Sequence, residues 1–168
     1  MIHIEIIQEF APLFVQGVLM SLRIGLFSCI LGIFLGTISG MILAGSSKIL
    51  KFFVSVYVTI IRGTPMLIQI STTYFVLMYL GVSISAMTSA IISIGLNSGA
   101  YLSQIVLSGI KSVNKGQIEA AKVLGFSSSQ TMRLIILPQA IRTMIPAFGN
   151  ELVTLVKDSS LASTIGVY

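Results

Sequence analysis

Charge is scarce in this chain. Asp, Glu, Lys and Arg make up 9% of its 168 residues, whereas a soluble domain has about a quarter. Tryptophan is absent, and Cys29 and His3 are the single cysteine and histidine. Two such ligands are too few for a Cys and His metal site, and one cysteine cannot form an internal disulfide. We therefore expect no metal site.

The motifs of common enzymes are missing as well. The sequence has no G-x-x-x-x-G-K-[ST] phosphate loop, so we do not expect this chain to hydrolyse ATP alone. A Ser-His-Asp triad is not expected, because His3 stands at the N-terminus. The net charge of +5 comes from Lys and Arg residues that do not alternate with aromatic ones, which disfavours nucleic-acid binding. We expect neither an enzyme nor a cofactor in this chain.

Apolar residues dominate instead. They make up 55% of the chain, and residues 24–47 and 63–110 contain no charge. About 20 apolar residues cross a bilayer, so the first run can cross once and the second twice. We predict an all-α, polytopic transmembrane bundle with spans at about 13–44, 53–80 and 87–110. A fourth, more polar segment at about 138–157 contains Pro138 and Pro146, which we expect to break its regularity.

The placement of cations predicts the orientation. Lys48 and Lys51 follow the first apolar run and several cations follow the third, whereas Glu5 and Glu9 precede the first. Because loop cations mark the cytoplasmic side, the N-terminus is predicted outside and the loop at about 112–137 in the cytoplasm. The N-terminus has no cationic region, so we expect no cleavable signal peptide.

Three features of the spans favour close packing or a polar path. Gly32, Gly36 and Gly40 form a small-residue face, which suits either a contact with another subunit or packing inside this bundle. Arg62, followed by Gly63, Thr64 and Pro65, predicts a bent or opened second span; its guanidinium faces either the bundle interior or the membrane surface. A polar stripe on the third span lines a solute path or bonds neighbouring helices; its members are Ser93, Asn97, Tyr101, Gln104 and Ser108.

The cytoplasmic loop predicts two short helices, at about 115–124 and 128–136, joined at Gly125. The pairs Asn114 with Gln117 and Ser127 with Gln130 have the spacing of capping boxes. Ile118, Ala121 and Leu124 are expected on one side of the first helix, where small alanines permit another molecule to approach. The loop is therefore predicted to be a docking element.

The loop also resembles a known family. Its EAA at 119–121, Gly125 and ILPQA at 136–140 resemble the cytoplasmic loop of ATP-binding-cassette (ABC) importer permeases. The strings IRGTP and KDSSLAS are similar to those of the polar amino-acid branch, and the likeness covers roughly residues 13 to 168. Members of this branch continue past GVY with another apolar helix. The single permease domain, residues 1–168, is accordingly expected to be incomplete at its C-terminus, with about four spans present and a fifth missing.

The resemblance implies roles for particular residues. Coupling to the ATPase is expected at Glu119, Ala120, Ala121, Gly125, Leu137 and Pro138. Candidates for the substrate path, from the resemblance and the polar pattern together, are Arg62, Gln69, Asn97, Tyr101, Gln104, Lys157 and Asp158.

The resemblance also implies the setting in which the chain works. It implies a permease subunit in the bacterial inner membrane that imports polar amino acids. The expected partners are an ATP-binding subunit holding ATP and Mg²⁺, a second permease copy or paralogue, an extracytoplasmic substrate-binding protein and the lipid bilayer. A self-contained secondary transporter or channel and a structural membrane subunit are the alternatives.

Overall fold

The computed structural model describes residues 4–167 and the side chains of residues 10–167. His3, Glu5 and Glu9, which were discussed above, lie outside the described side chains. The α-helices are α1 (Ile4–Ala44), α2 (Lys48–Gly63), α3 (Met66–Tyr79), α4 (Ala86–Lys111), α5 (Lys115–Val123), α6 (Ser128–Thr131) and α7 (Leu137–Asp158). A π-helical turn at Met132–Ile136 precedes α7, and a 3₁₀ helix at Ser159–Ile165 follows it. The regular elements of the described residues are thus all helical, as predicted.

Within the part of the chain that the structure describes, two helices are long and apolar enough to cross a membrane, namely α1 from Phe10 onward and α4. The second predicted span is instead a pair of helices, α2 and α3, which meet at an angle of 105°. Taken together as one bent span, α2 and α3 are also long and apolar enough to cross a membrane, which raises the number of candidate spans to three. The predicted bend at Pro65 is confirmed, and α2 and α3 can form the predicted second span only as a broken one. The helical pair begins earlier, at Lys48, where the Ser47 hydroxyl accepts a hydrogen bond from Leu50 N.

The glycine face of α1 packs against α4. A Cβ atom placed on Gly36 would lie 2.5 Å from Leu102 Cβ, and one on Gly40 would lie 2.5 Å from Val106 Cβ. Larger residues therefore cannot occupy these positions without moving the helices apart. Packing inside the bundle is the interpretation that the structure confirms, and a subunit contact through this face is wrong because α4 occupies it.

The prolines of the fourth segment do not interrupt it. Helix α7 runs from Leu137 to Asp158 with Pro146 inside it, and Pro138 stands in its first turn. The preceding π turn widens the backbone where the Pro138 ring would otherwise clash with a carbonyl of the previous turn. The loss of regularity expected at Pro138 therefore takes the form of a π turn, whereas the one expected at Pro146 is wrong. A loop helix ending at residue 136 is also wrong, because α6, the π turn and α7 follow one another directly.

The loop at 112–137 contains α5 and α6, joined by a turn at Gly125 with φ of +82°. The Phe126 N–H donates to Ala121 O and the Gly125 N–H to Lys122 O, which is the Schellman pattern. The capping box of Ser127 and Gln130 is confirmed.

Two other expectations about the loop are wrong. At Asn114 the side chain caps Gly116 N, but Gln117 does not bond back, because its Oε1 accepts from Gln139 Nε2 at 2.6 Å. Ala121 is 1% exposed, so it is not open to the approach of another molecule as expected, although Leu124 is 74% exposed. The chain itself covers Ala121, whereas Ala120 remains exposed.

Candidate functional site

The break between α2 and α3 is held by Gln69, a buried residue of α3. Its Nε2 donates to Ile61 O at 2.8 Å and to Thr64 O at 2.7 Å, and its Oε1 accepts from Asn97 Nδ2 at 3.3 Å. Carbonyls freed by a helix break must find protein donors inside a membrane, where water is scarce. One glutamine supplies both donors, and α4 fixes its amide in place.

The broken helix forms one wall of a cleft of about 580 Å³. Helix α4 contributes Asn97 and Tyr101, and α7 contributes Glu151, Thr154 and Asp158. Residues 62–66 of the break complete the lining, among them Arg62. The cleft therefore has one cationic side chain on α2 and two acidic ones on α7, separated by the amide and phenol of α4.

Arg62 is oriented by an aromatic ring. Its guanidinium carbon lies 4.8 Å from the centroid of the Tyr101 ring, a distance at which a cation is attracted to the π face. Arg62 is exposed at the end of α2 and lines the cleft. Lining the cleft is compatible with the interpretation in which the side chain faces the bundle interior, and the position of Arg62 relative to the membrane surface stays a prediction.

The predicted substrate-path residues are only partly brought together. Arg62, Asn97, Tyr101 and Asp158 line the cleft. Gln69 lies behind the break and borders a second, smaller pocket with Ser93, and Gln104 borders a third pocket with Arg62. Lys157 is exposed and outside the cleft lining. Of the two interpretations of the polar stripe on α4, bonding to a neighbouring helix is seen at Asn97, which also lines the cleft, and the solute path stays a prediction.

Glu151 and Thr154 are cleft residues that were missing from the predicted set. Glu151, Thr154 and Asp158 follow one another at intervals of three and four residues, which places all three on one face of α7. The same periodicity that revealed the stripe on α4 would have found them. All three residues follow Pro146, so a break there would not have hidden this pattern.

The loop presents a second candidate surface. Val123 is 87% exposed and Leu124 74% exposed, next to exposed Glu119 and Ala120. Apolar side chains so exposed on a short, polar helix are typical of a protein contact. The bond between Gln117 and Gln139 ties α5 to α7, and Pro138 is exposed beside it whereas Leu137 is partly buried. The loop is therefore directly connected to a helix that lines the cleft.

Comparison with known proteins gives a consistent assignment. The family model described as "Binding-protein-dependent transport system inner membrane component" matches residues 11–168. GlnP of Rickettsia felis is 40% identical over 153 residues, which are 90% of this chain and 70% of that protein. The L-cystine transport system permease protein TcyB of Bacillus subtilis is 37% identical over 158 residues, 94% of this chain and 68% of that protein.

A solved structure agrees over nearly the whole chain. A crystal structure of an amino acid ABC transporter with histidines contains a chain that superposes with a TM-score of 0.92 at 35% identity. The superposition covers 99% of this chain and 78% of that one, so it includes α7, which hydropathy alone did not identify as a span. The chain belongs to the family of binding-protein-dependent transport system inner membrane components, and it is a multi-pass permease subunit of an amino-acid ABC importer.

Proposed function

We propose that the cleft between α2, α4 and α7 binds the transported amino acid on its way through the membrane. An amino acid presents a carboxylate and an ammonium group. Arg62 faces the cleft from one side and Glu151 and Asp158 from another, so each ligand charge has an opposite partner. The separation of one cationic from two acidic side chains across a single space is the observation that supports this function.

The neutral groups of the cleft complete the site. Asn97 and Thr154 offer uncharged donors and acceptors, and Tyr101 holds the guanidinium of Arg62 over its ring. A stacked arginine loses less freedom when it binds a carboxylate than a free side chain does. The relatives named for L-cystine, and the similar structure with histidines, motivate polar amino acids as the substrate class.

The family implies an ATPase partner, and we propose that α5 is its docking site. The contact would centre on Glu119, Ala120 and the exposed apolar pair Val123 and Leu124, with Gly125 setting the turn and Leu137 and Pro138 beginning α7 behind it. Ala121 contributes by packing α5 onto this chain, since it is buried. ATP and Mg²⁺ belong to that partner subunit, and this chain needs no cofactor of its own.

The remaining arrangement follows from the same family. The permease works with a second copy or a paralogue, receives its substrate from an extracytoplasmic binding protein, and lies in the inner membrane with its N-terminus outside. The loop at 112–137 then lies in the cytoplasm, where the ATPase is. The cations near this loop, Lys111, Lys115, Lys122 and Arg133, support that orientation.

Substitution of two neighbouring residues tests the cleft. Asp158→Asn removes a cleft carboxylate, whereas Lys157→Gln changes an exposed side chain one position away. In cells that express the transporter, we expect Asp158→Asn to lower uptake of labelled amino acid about tenfold, since a hydrogen bond to a charged group is worth about 1.5–3 kcal/mol. Lys157→Gln should stay within about twofold of wild type, the scale of an exposed substitution. Equal uptake by both variants, with the ATPase still bound, would refute the assignment.

A further inference from the structure

Arg62 lines two separate spaces. One is the cleft, and the other is a pocket of about 300 Å³ between α2 and α4, which we call the Gln104 pocket. The residues that line this pocket are Ser55, Val58, Thr59, Arg62 and Gln104. Among the described residues, Arg62 is the one that the two linings share, so its side chain stands at the boundary between the two spaces.

The order of residues along α4 gives the position of the Gln104 pocket relative to the cleft. Asn97 and Tyr101 line the cleft, and Gln104 follows Tyr101 by three residues, a rise of about 4.5 Å along the helix. The helix continues in the same direction to Lys111, at the end predicted to be cytoplasmic. With that orientation, a solute that leaves the cleft toward the cytoplasm reaches this pocket next.

The pocket is built largely from polar groups. Ser55 and Thr59 precede Arg62 by seven and three residues, which places all three on one face of α2. The Gln104 amide makes only a 3.5 Å contact with Ser103 Oγ, so it can bond a ligand without giving up a strong hydrogen bond. Polar side chains that face a space between membrane helices are typical of a solute path.

The two spaces differ in charge. The cleft offers Arg62 to a carboxylate, and Glu151 and Asp158 to an ammonium group. Arg62 is the only charged side chain among the described residues that line the Gln104 pocket. An amino acid that moves into the pocket keeps a partner for its carboxylate, but its ammonium group exchanges carboxylates for neutral acceptors. Because hydrogen bonds between two ions are the stronger ones, the amino acid binds less tightly in the pocket than in the cleft, as release requires.

We propose that the Gln104 pocket is a second binding position for the transported amino acid, an exit site in which the carboxylate remains on Arg62 after the ammonium group has left the two carboxylates of the cleft. Arg62 is suited to serve both positions, because its guanidinium carbon lies 4.8 Å from the centroid of the Tyr101 ring at the boundary between them. The inference rests on the proposed function of the cleft and adds to it a direction of release.

Binding and transport, measured separately on the complex of the permease with its ATPase, test the proposal. The probe is whichever of a panel of tritiated L-amino acids the wild-type complex binds most tightly in lipid nanodiscs. Thr59→Phe fills the pocket with a side chain that lies outside the cleft lining. The Kd should stay within about twofold of wild type, whereas ATP-driven uptake into proteoliposomes, with binding protein present, should fall at least about fivefold.

The matched control is Thr72→Phe. Thr72 is also an exposed threonine, and it lines the pocket behind the break rather than the Gln104 pocket. Its uptake should stay within about twofold of wild type. A second variant, Gln104→Leu, removes the amide without adding bulk. It should lower uptake about twofold to tenfold at an unchanged Kd, because one hydrogen bond is worth roughly that factor. Gln104→Leu decides the test if Thr59→Phe does not co-purify with the ATPase.

The outcomes separate the exit site from the cleft. Wild-type uptake by both Thr59→Phe and Gln104→Leu would overturn the exit site alone, and so would an equal loss in Thr72→Phe. A Kd that rises as far as uptake falls would also overturn it, because the pocket would then belong to the binding site of the cleft. An unchanged Kd for Asp158→Asn, or no binding of any probe by wild type, would overturn the proposed function of the cleft instead.

Discussion

Asn97 on α4 donates a hydrogen bond from its Nδ2 to Oε1 of Gln69 on α3, across 3.3 Å. The same glutamine caps the end of α2 through Ile61 O and Thr64 O. The 105° bend between α2 and α3 is therefore held from α4, and the shape of the cleft depends on a chain of polar groups that joins three helices.

Gln69→Leu is expected to destabilise the permease. It removes the side-chain donor of Thr64 O and one of the two donors of Ile61 O, which keeps its bond from Thr64 N, and each hydrogen bond lost is worth about 0.5–1.5 kcal/mol. The melting temperature of the purified complex should fall. The control is Gln104→Leu, because the Gln104 amide makes only a 3.5 Å contact with Ser103 Oγ. If the Gln69→Leu complex had the same melting temperature as wild type, water or lipid would be replacing these hydrogen bonds.

Tyr101 is expected to act through its ring rather than its hydroxyl. Tyr101→Phe keeps the π face beneath Arg62 and should retain most of the uptake activity, whereas Tyr101→Leu loses an attraction of about 0.5–2 kcal/mol and should lower uptake about threefold to tenfold. Initial rates of amino-acid uptake at equal expression measure the difference. If Tyr101→Phe were as impaired as Tyr101→Leu, the hydroxyl would be the functional group.

Gly125→Val is expected to disrupt the loop. A β-branched residue at φ of +82° is strained, by at least the 1–2 kcal/mol that left-handed backbone costs an ordinary residue. We expect insertion into the membrane but loss of the bound ATPase, or ATP hydrolysis without uptake. Gly17→Val is the matched control, because a side chain at either position meets open space and Gly17 has no positive φ. Normal uptake by Gly125→Val would exclude a role for this turn in coupling.

Reporter fusions test the orientation. A fusion after Ser128, in the loop, should show cytoplasmic activity, and a fusion at Ser85, between α3 and α4, should show external activity. The reason is the excess of cations at the loop. Alkaline phosphatase and green fluorescent protein report the two sides. The opposite pattern at both sites would reverse the predicted topology and remove α5 from the side where the ATPase acts.

Local signals in the sequence predicted local structure well. Pro65 marked the helix break, Gly125 the left-handed turn, and Ser127 with Gln130 a cap, because each feature depends on residues within one turn of chain. The family resemblance found α7 as a membrane helix where hydropathy could not, since the helix contains Arg142, Glu151 and Lys157.

The predictions that failed concern features that depend on contacts between residues far apart in the sequence. The capping box at Asn114 does not form, because the Gln117 side chain that would complete it accepts a hydrogen bond from Gln139, 22 positions away. The angle between α2 and α3 could not be read from Pro65 alone, because it is held by Gln69 and Asn97. Glu151 was not among the predicted path residues because its place in the cleft depends on how α7 packs against α4, which the sequence of α7 alone does not show.

The close contact between α1 and α4 has a mechanical consequence. Where glycine Cα atoms lie directly against the side chains of the opposite helix, as at Gly36 and Gly40, sliding by even one residue would produce steric collision. The two helices are therefore expected to move as one rigid unit. A change in the shape of the cleft would then have to come from the joint between α2 and α3 or from the π turn before α7.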